Sequence, residues 1–105
     1  MTNDDYLIKE LNGLKPAEIA ALLAILREYQ RAKKKHPEWP CDDLIHASAI
    51  INEEAGELTR ECLQMKYERT DFGEHIDRIA KEAAQTGAMG FRFLVEFFKQ
   101  VKYYG

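Results

Sequence analysis

Apolar side chains recur along this sequence at intervals of three and four residues, the spacing that places them on one face of an α-helix. Three long segments show this pattern, namely residues 17–35, 42–67 and 72–101. Asp42 or Asp43 can cap the second of these helices. No segment alternates between apolar and polar residues as a half-buried strand does. The pattern therefore predicts an all-α fold.

Each predicted helix has one apolar face, which we expect to point inward. The faces comprise Ile19, Leu22, Leu23, Leu26 and Tyr29 in the first helix, Leu44, Ala47, Ile51, Ala55, Leu58, Cys62 and Met65 in the second, and Ile76, Ile79, Ala80, Ala83, Gly87, Phe91, Leu94 and Phe98 in the third. Because three helices are too few to cover these faces, we expect a second copy of the chain to complete a four-helix bundle. The assembly would be a homodimer or a homotetramer.

The remaining segments are predicted to be short. Residues 4–11 can form a further helix within an N-terminal extension of residues 1–15. Residues 69–73 break the apolar pattern between the second and third long helices, and Asp71 followed by Glu74 resembles a capping box there. We therefore predict an antiparallel helical hairpin, preceded by an N-terminal helix, in a single domain that spans all 105 residues.

The composition is that of a globular chain and excludes several classes of protein. Hydrophobic residues make up 46% of the chain and charged residues 31%, which is too apolar for a disordered protein. No apolar run approaches the roughly 20 residues that span a bilayer, and the acidic N-terminus lacks the pattern of a signal peptide. The net charge of −3 argues against a nucleic-acid polymer as partner. Two widely spaced cysteines predict neither a disulfide framework nor a zinc site, so we expect a cytoplasmic protein with no membrane partner.

An acidic cluster on the second long helix is the strongest functional signal in the sequence. Glu53, Glu54 and Glu57 stand at i, i+1 and i+4, so their side chains project to neighbouring points beside the apolar face. Residues equidistant from the turn of an antiparallel hairpin lie side by side, which predicts Glu82 opposite Glu57 and Gln85 opposite Glu54. Like-charged pairs at helical spacing cost about 0.2–0.5 kcal/mol each unless a cation offsets them.

Four carboxylates and one amide oxygen are therefore predicted to converge at one level of the hairpin. Hard divalent cations bind to such oxygen ligands, and Mg²⁺ in particular uses few protein carboxylates together with substrate phosphates. We accordingly predict a Mg²⁺ site, with Mn²⁺ as the alternative ion, whose ligands are Glu53, Glu54, Glu57, Glu82 and Gln85.

A Glu-Glu-x-x-Glu motif on one helix, followed by Glu-x-x-Asp on the next, is typical of the MazG-like all-α nucleoside triphosphate pyrophosphohydrolases. Residues 42–94 resemble that family. The resemblance implies a dimer or tetramer of helical bundles that uses Mg²⁺ to hydrolyse a nucleoside or deoxynucleoside triphosphate to the monophosphate and pyrophosphate. It also implies that Glu54, Glu57 and Glu82 are the principal metal ligands and that Glu53 matches the leading glutamate of the motif.

The sequence departs from the family pattern at Gln85, which replaces the last acidic residue. In this respect it resembles phage-type members of the family, which have Gln before a run of small residues. A literal Glu-x-x-Asp at Glu74 and Asp77 would meet Glu57 only if the turn lay near residues 65–66, where no helix breaker exists. The neutral glutamine leaves the number of bound metal ions open.

Hydrolysis at such a site depends on positioning and on charge neutralisation. Metal ions that bridge the triphosphate oxygens stabilise the charge that develops on phosphorus and on the leaving pyrophosphate. We predict that Glu53, the outermost carboxylate, is the catalytic residue that orients the attacking water.

Four other residues are candidates for substrate binding, and each has a structural alternative. His46 could contact phosphate or belong to the exposed helix surface, and Trp39 could stack on a base or pack a connector over the bundle. Arg78 and Lys81 could attract the triphosphate, although an i,i+4 pair between Arg78 and Glu82 would explain them too.

Two further classes of function compete with the hydrolase. A catalytically silent helical module for interaction or oligomerisation, built on the same scaffold, is favoured by the neutral Gln85. A carboxylate-bridged di-iron bundle fits poorly, because neither core helix carries a Glu-x-x-His pair. A Mg²⁺-dependent nucleotide pyrophosphohydrolase is therefore the leading prediction.

Overall fold

The structure is a computed structural model that describes residues 3–68 and 72–101. These ranges contain four α-helices and no strand: α1 (Asn3–Asn12), α2 (Pro16–Lys35), α3 (Leu44–Tyr67) and α4 (Phe72–Val101). The predicted all-α fold is confirmed, as is the short N-terminal helix. The predicted turn near residues 69 and 70 and the capping box of Asp71 lie outside the described residues.

Local sequence determines where the long helices begin. Pro16 is the first residue of α2, where its missing N–H costs nothing, and the backbone N–H of Lys15 donates to Glu18 Oε1 at 2.9 Å. Of the two predicted caps of α3, the structure uses Asp43, whose Oδ1 accepts a hydrogen bond of 3.0 Å from the backbone N–H of His46. These contacts satisfy backbone donors that a helix start would otherwise leave unpaired.

Helix α4 is the centre of the structure, because α2 and α3 both pack against it. Ile25 meets Gly87 and Tyr29 meets Phe91, so α2 runs parallel to α4. Glu61 approaches His75, so α3 runs antiparallel to α4 and forms the predicted hairpin. Within the described residues, the backbones of α2 and α3 do not approach each other closely, and α1 packs against none of the other helices. A gap therefore remains between α2 and α3, above α4.

The buried line of α4 differs from the predicted apolar face. The buried residues are Ala84, Ala88 and Arg92, whereas Ala83 and Phe91 are exposed. The true contact line is thus displaced by one residue, or about 100° around the helix. It differs because α2 and α3 contact α4 from two sides at once, and small side chains are needed where both helices converge.

Of the two glycines in the middle of α4, Gly87 and Gly90, one has a packing role. A Cβ atom added to Gly87 would lie 3.1 Å from both Cδ1 and Cγ1 of Ile25, which is closer than an ordinary contact. Gly90, one turn later, has open space where its side chain would be. Close approach by α2 therefore accounts for Gly87 within one copy of the chain, whereas no contact among the described residues accounts for Gly90.

One copy of the chain buries little of its apolar surface. The buried apolar residues in the described part are Tyr29, Ala47, Ala84 and Ala88. Many larger side chains are roughly half exposed, including Ile19, Leu22, Leu23 and Leu26 of α2 and Phe91 and Leu94 of α4. The radius of gyration is 16.3 Å, compared with about 13 Å for a compact domain of this size. The predicted inward faces of α2 and α4 are therefore largely uncovered in a single chain.

The described helices differ from membrane-spanning segments in composition. None of them combines the length and the apolar character that crossing a bilayer requires.

Candidate functional site

Three carboxylates from two helices meet at the middle of the α3–α4 hairpin. Glu54 and Glu57 lie close to one turn apart on α3, and Glu82 faces them from α4. One oxygen of each can be chosen so that all three atoms lie within 4.8 Å of one another. We call Glu54, Glu57 and Glu82 the carboxylate triad. The convergence is the one that equidistance from the turn predicts.

The carboxylate triad has the chemistry of a hard-cation site. Its donors are oxygen atoms, and all three side chains are partly exposed, so an ion can reach them. Ligands on opposite sides of one ion lie about 4.2 Å apart around Mg²⁺ and about 5 Å apart around Ca²⁺. The carboxylates are thus already near the separation that a single divalent ion requires, and the residues present fit such an ion.

Gln85 lies between Glu54 of α3 and Glu82 of α4. With its amide oriented to satisfy both neighbours, its nitrogen donates to Glu54 Oε2 at 3.2 Å and to Glu82 Oε2 at 3.1 Å. The sequence led us to expect a carbonyl ligand at this position. In this orientation the amide donates and partly offsets the negative charge; turned over, its carbonyl oxygen would face the carboxylates and a bound ion, so the role of Gln85 as a carbonyl ligand stays a prediction.

The electrostatics of the triad favour an added positive charge. The pKa of Glu82 is raised to about 6, first by burial and then by a hydrogen bond with Glu57 and the negative charge of Glu57. Burial also raises the pKa of Glu54, and the charge of Glu57 adds to this effect, while a hydrogen bond from Glu82 opposes it. In the described part of the chain, none of the ion pairs includes a triad member.

Glu53 lies beside the triad without joining it. Its side chain is exposed, and it is absent from the group of carboxylates whose oxygens converge in the described residues. Its charge nevertheless contributes to the raised pKa of Glu54. Its roles as metal ligand and as the residue that orients water stay predictions.

A cavity of about 420 Å³ adjoins the triad and fills the gap between α2 and α3. This volume is in the range of small-molecule sites. Glu54 and Gln85 belong both to its wall and to the site, so the cavity and the acidic site are continuous. Trp39 and Lys81, two of the four predicted substrate-binding residues, line the same cavity.

The other two predicted substrate-binding residues lie elsewhere. His46 is exposed in the first turn of α3 and does not line the cavity. Arg78 pairs with Glu74, one turn earlier on α4, and its Nη1 lies 3.9 Å from Glu61 Oε2. The ion pair that the sequence suggested between Arg78 and Glu82 is therefore wrong, because a carboxylate of α3 and another of α4 hold the guanidinium nearer the turn.

The sequence interpretation missed two arginines that line the cavity. Arg31 lines it from α2, and Arg92 lines it from α4. Arg92 follows the buried Ala84 and Ala88 at intervals of four, so it lies on the buried line of α4. It was missed because the predicted apolar face is displaced from this line by one residue.

No model of a known protein family, no curated protein and no solved structure matches this chain. The likeness of residues 42–94 to the MazG-like family therefore stands on the spacing of the acidic residues alone.

Proposed function

We propose that this protein is a divalent-cation-dependent nucleoside triphosphate pyrophosphohydrolase, which converts a nucleoside or deoxynucleoside triphosphate to the monophosphate and pyrophosphate. The single observation that carries the proposal is the convergence of the carboxylate triad within 4.8 Å across two helices. A protein that gathers three carboxylates without a cationic side chain needs another source of positive charge, and Mg²⁺ or Mn²⁺ is the simplest source.

The cavity supports a phosphorylated substrate. It opens onto Glu54 and Gln85, so a ligand that occupies it can place its phosphates beside the triad. Lys35 and Lys81 line the same space and can neutralise phosphate oxygens. A bound divalent cation would add Lewis-acid stabilisation of the charge that develops on the phosphates. The triad itself would hold that ion, while Lys81 orients the triphosphate.

Glu53 remains the candidate that orients the attacking water. It adjoins Glu54 in the chain and is exposed, so it can hold a water molecule at the edge of the site. Because it is open to solvent, it can also pass the proton of that water to bulk.

We further propose that the active form is a homodimer or homotetramer. An incomplete bundle would expose apolar side chains and have a large radius of gyration. This chain shows both features, in the exposed leucines of α2, in Phe91 and Leu94 of α4 and in its radius of gyration. A second copy would cover these surfaces and would explain the unfilled space at Gly90. Cys41 and Cys62 are free thiols, which agrees with a reducing compartment such as the cytoplasm.

Pyrophosphate release from a panel of nucleoside and deoxynucleoside triphosphates tests the proposed reaction. We expect turnover of at least one substrate with Mg²⁺ or Mn²⁺ and none with excess EDTA. The products should be the monophosphate and pyrophosphate, not the diphosphate and phosphate, as resolved by anion-exchange chromatography.

A catalytically silent interaction module on the same scaffold is the second candidate. The exposed apolar faces and the amide of Gln85, which already offsets part of the triad's charge, favour it. If no nucleotide is hydrolysed and neither Mg²⁺ nor Mn²⁺ raises the Tm, the hydrolase proposal fails and the silent module replaces it.

A further inference from the structure

Arg92 is the one arginine that α4 buries, since only 3% of its surface is exposed. Its Nη2 donates to the carbonyl oxygen of His36 at 2.8 Å, and its guanidinium lies 5.1 Å from the centre of the Trp39 ring. Both partners belong to the connector between α2 and α3. The connector therefore holds the guanidinium in one place at the wall of the cavity.

The hydrogen bonding of Arg92 is incomplete. Its Nε is buried and has no partner in the described structure, and no carboxylate there forms an ion pair with it. A buried donor without a partner is costly, and a buried cation more so. Because Arg92 lines the cavity and none of the described carboxylates neutralises it, a ligand in the cavity can offer its guanidinium an acceptor.

The position of Arg92 along α4 indicates which part of a ligand it meets. It stands 7 residues beyond Gln85 (92 − 85), which is about 10 Å along the helix axis. A triphosphate held at the carboxylate triad and at Lys81 would occupy the near end of the cavity. The far end, walled by Arg92 and the aromatic ring of Trp39, would then receive the base.

We propose that Arg92 determines substrate specificity by donating a hydrogen bond from its guanidinium to a carbonyl oxygen of the substrate base. This inference rests on the proposed function for the identity of the ligand as a nucleotide. Uracil, thymine, cytosine and guanine carry such an oxygen, and adenine does not. The enzyme therefore favours nucleotides of one or more of the first four bases over those of adenine.

Trp39 provides a direct measurement, because it is the single tryptophan of the chain and it contacts Arg92. Its fluorescence is titrated with UMP, CMP, GMP, IMP and AMP in EDTA, so that binding is measured without metal and without turnover. IMP and AMP form a matched pair, since hypoxanthine has a carbonyl where adenine has an amino group. Pyrophosphate serves as a ligand without a base.

We expect at least one carbonyl-bearing monophosphate to bind about tenfold or more tightly than AMP, and Arg92→Lys and Arg92→Gln to remove that preference. Arg27→Lys is the matched control, since Arg27 is exposed on α2 and does not line the cavity. Circular dichroism checks that each variant is folded. If both Arg92 variants unfold, the affinities of the wild-type protein still test the proposal. Binding of AMP as tight as that of every other monophosphate would overturn it.

Two other outcomes would also overturn it. One is an unchanged preference in a folded Arg92 variant. The other is an Arg92-dependent response to pyrophosphate that equals the response to the best monophosphate, because it would assign Arg92 to the phosphates. Failure of the proposed hydrolysis is distinguishable, since it would remove turnover with Mg²⁺ and leave the binding preference in EDTA in place.

Discussion

The α3–α4 hairpin holds two groups of carboxylates about one helical turn apart, and their surroundings differ. Nearer the turn, Glu61 Oε2 lies 3.4 Å from Nδ1 of the buried His75 and 3.9 Å from Nη1 of Arg78. Arg78 also pairs with Glu74. We call these four residues the turn cluster. Glu61 of α3 approaches His75 and Arg78 of α4, and Glu74 pairs with Arg78, so both carboxylates have basic partners within the protein.

The carboxylate triad lies on the same two helices but has no basic side chain paired with it in the described part of the chain. The side chain that can hydrogen-bond to it there is that of Gln85, and the pKa of Glu82 is raised to about 6. The turn cluster shows that basic side chains can be accommodated between α3 and α4. Their absence at the triad is therefore not forced by the fold, and it leaves room for a cation from solution.

The largest expected effect is on turnover, and it appears when one glutamate of the triad is neutralised but not when one of the turn cluster is. Glu57→Gln removes a triad carboxylate and should lower Mg²⁺-dependent kcat/KM by roughly a hundredfold or more, because the ion loses a charged ligand. Glu74→Gln, in the turn cluster, is the matched control and should change it less than threefold. Steady-state assays of pyrophosphate release measure both, and equal losses in the two variants would refute the contrast.

The next largest expected effect is on stability, and it comes from the turn cluster instead of the triad. His75 is 4% exposed, so His75→Ala removes buried packing together with the contact to Glu61. We expect a loss of roughly 2 kcal/mol, or about 8–16 °C in Tm, with Mg²⁺ binding retained. His46→Ala is the control, because His46 is exposed and its substitution should cost about 0.5 kcal/mol at most. Thermal unfolding followed by circular dichroism distinguishes them, and a loss of Mg²⁺ affinity in His75→Ala would show that the two groups are coupled.

Helical periodicity and the position of the break made much of this hairpin predictable. Glu57 and Glu82 could be placed opposite each other because both lie at similar distances from one turn. The burial of Ala84 and Arg92 could not be predicted in the same way, since it depends on where α2 and α3 converge on α4. The cavity was equally inaccessible, because it arises from the gap between two helices and from a connector that lies against Arg92.

A smaller effect is expected when the triad receives one more carboxylate. Gln85→Asp replaces an amide that donates to Glu54 and Glu82 by a fourth negative charge. In EDTA at pH 7.5 we expect a loss of about 1 kcal/mol, and a larger rise of Tm on addition of Mg²⁺ than in the wild type. Gln30→Asp, at an exposed position of α2, controls for the lower helix propensity of aspartate. If Mg²⁺ stabilises Gln85→Asp no more than the wild type, position 85 is not part of an ion site.

The smallest effect concerns the pH dependence of stability, and its sign follows from the raised pKa of Glu82. The folded value of about 6 exceeds the ordinary value of 4.5, so between these pH values the folded state binds more protons than the unfolded state. Ionisation of Glu82 therefore lowers stability as the pH rises through this window, and the penalty is fully present above it.

Glu82→Gln should remove that penalty in the absence of metal. In EDTA, we expect its Tm to exceed that of the wild type by only on the order of 2 °C at pH 7.5, since solvent screens a partly exposed carboxylate, and we expect the difference to shrink towards zero as the pH falls to 4.5 and below. With saturating Mg²⁺ at pH 7.5 the order should reverse, because only the wild type keeps all three ligands. Melting curves between pH 4.5 and 8 measure these differences. A Glu82→Gln protein that is less stable than the wild type in EDTA at pH 7.5 would mean that the triad, like the turn cluster, is stabilised by contacts within the chain.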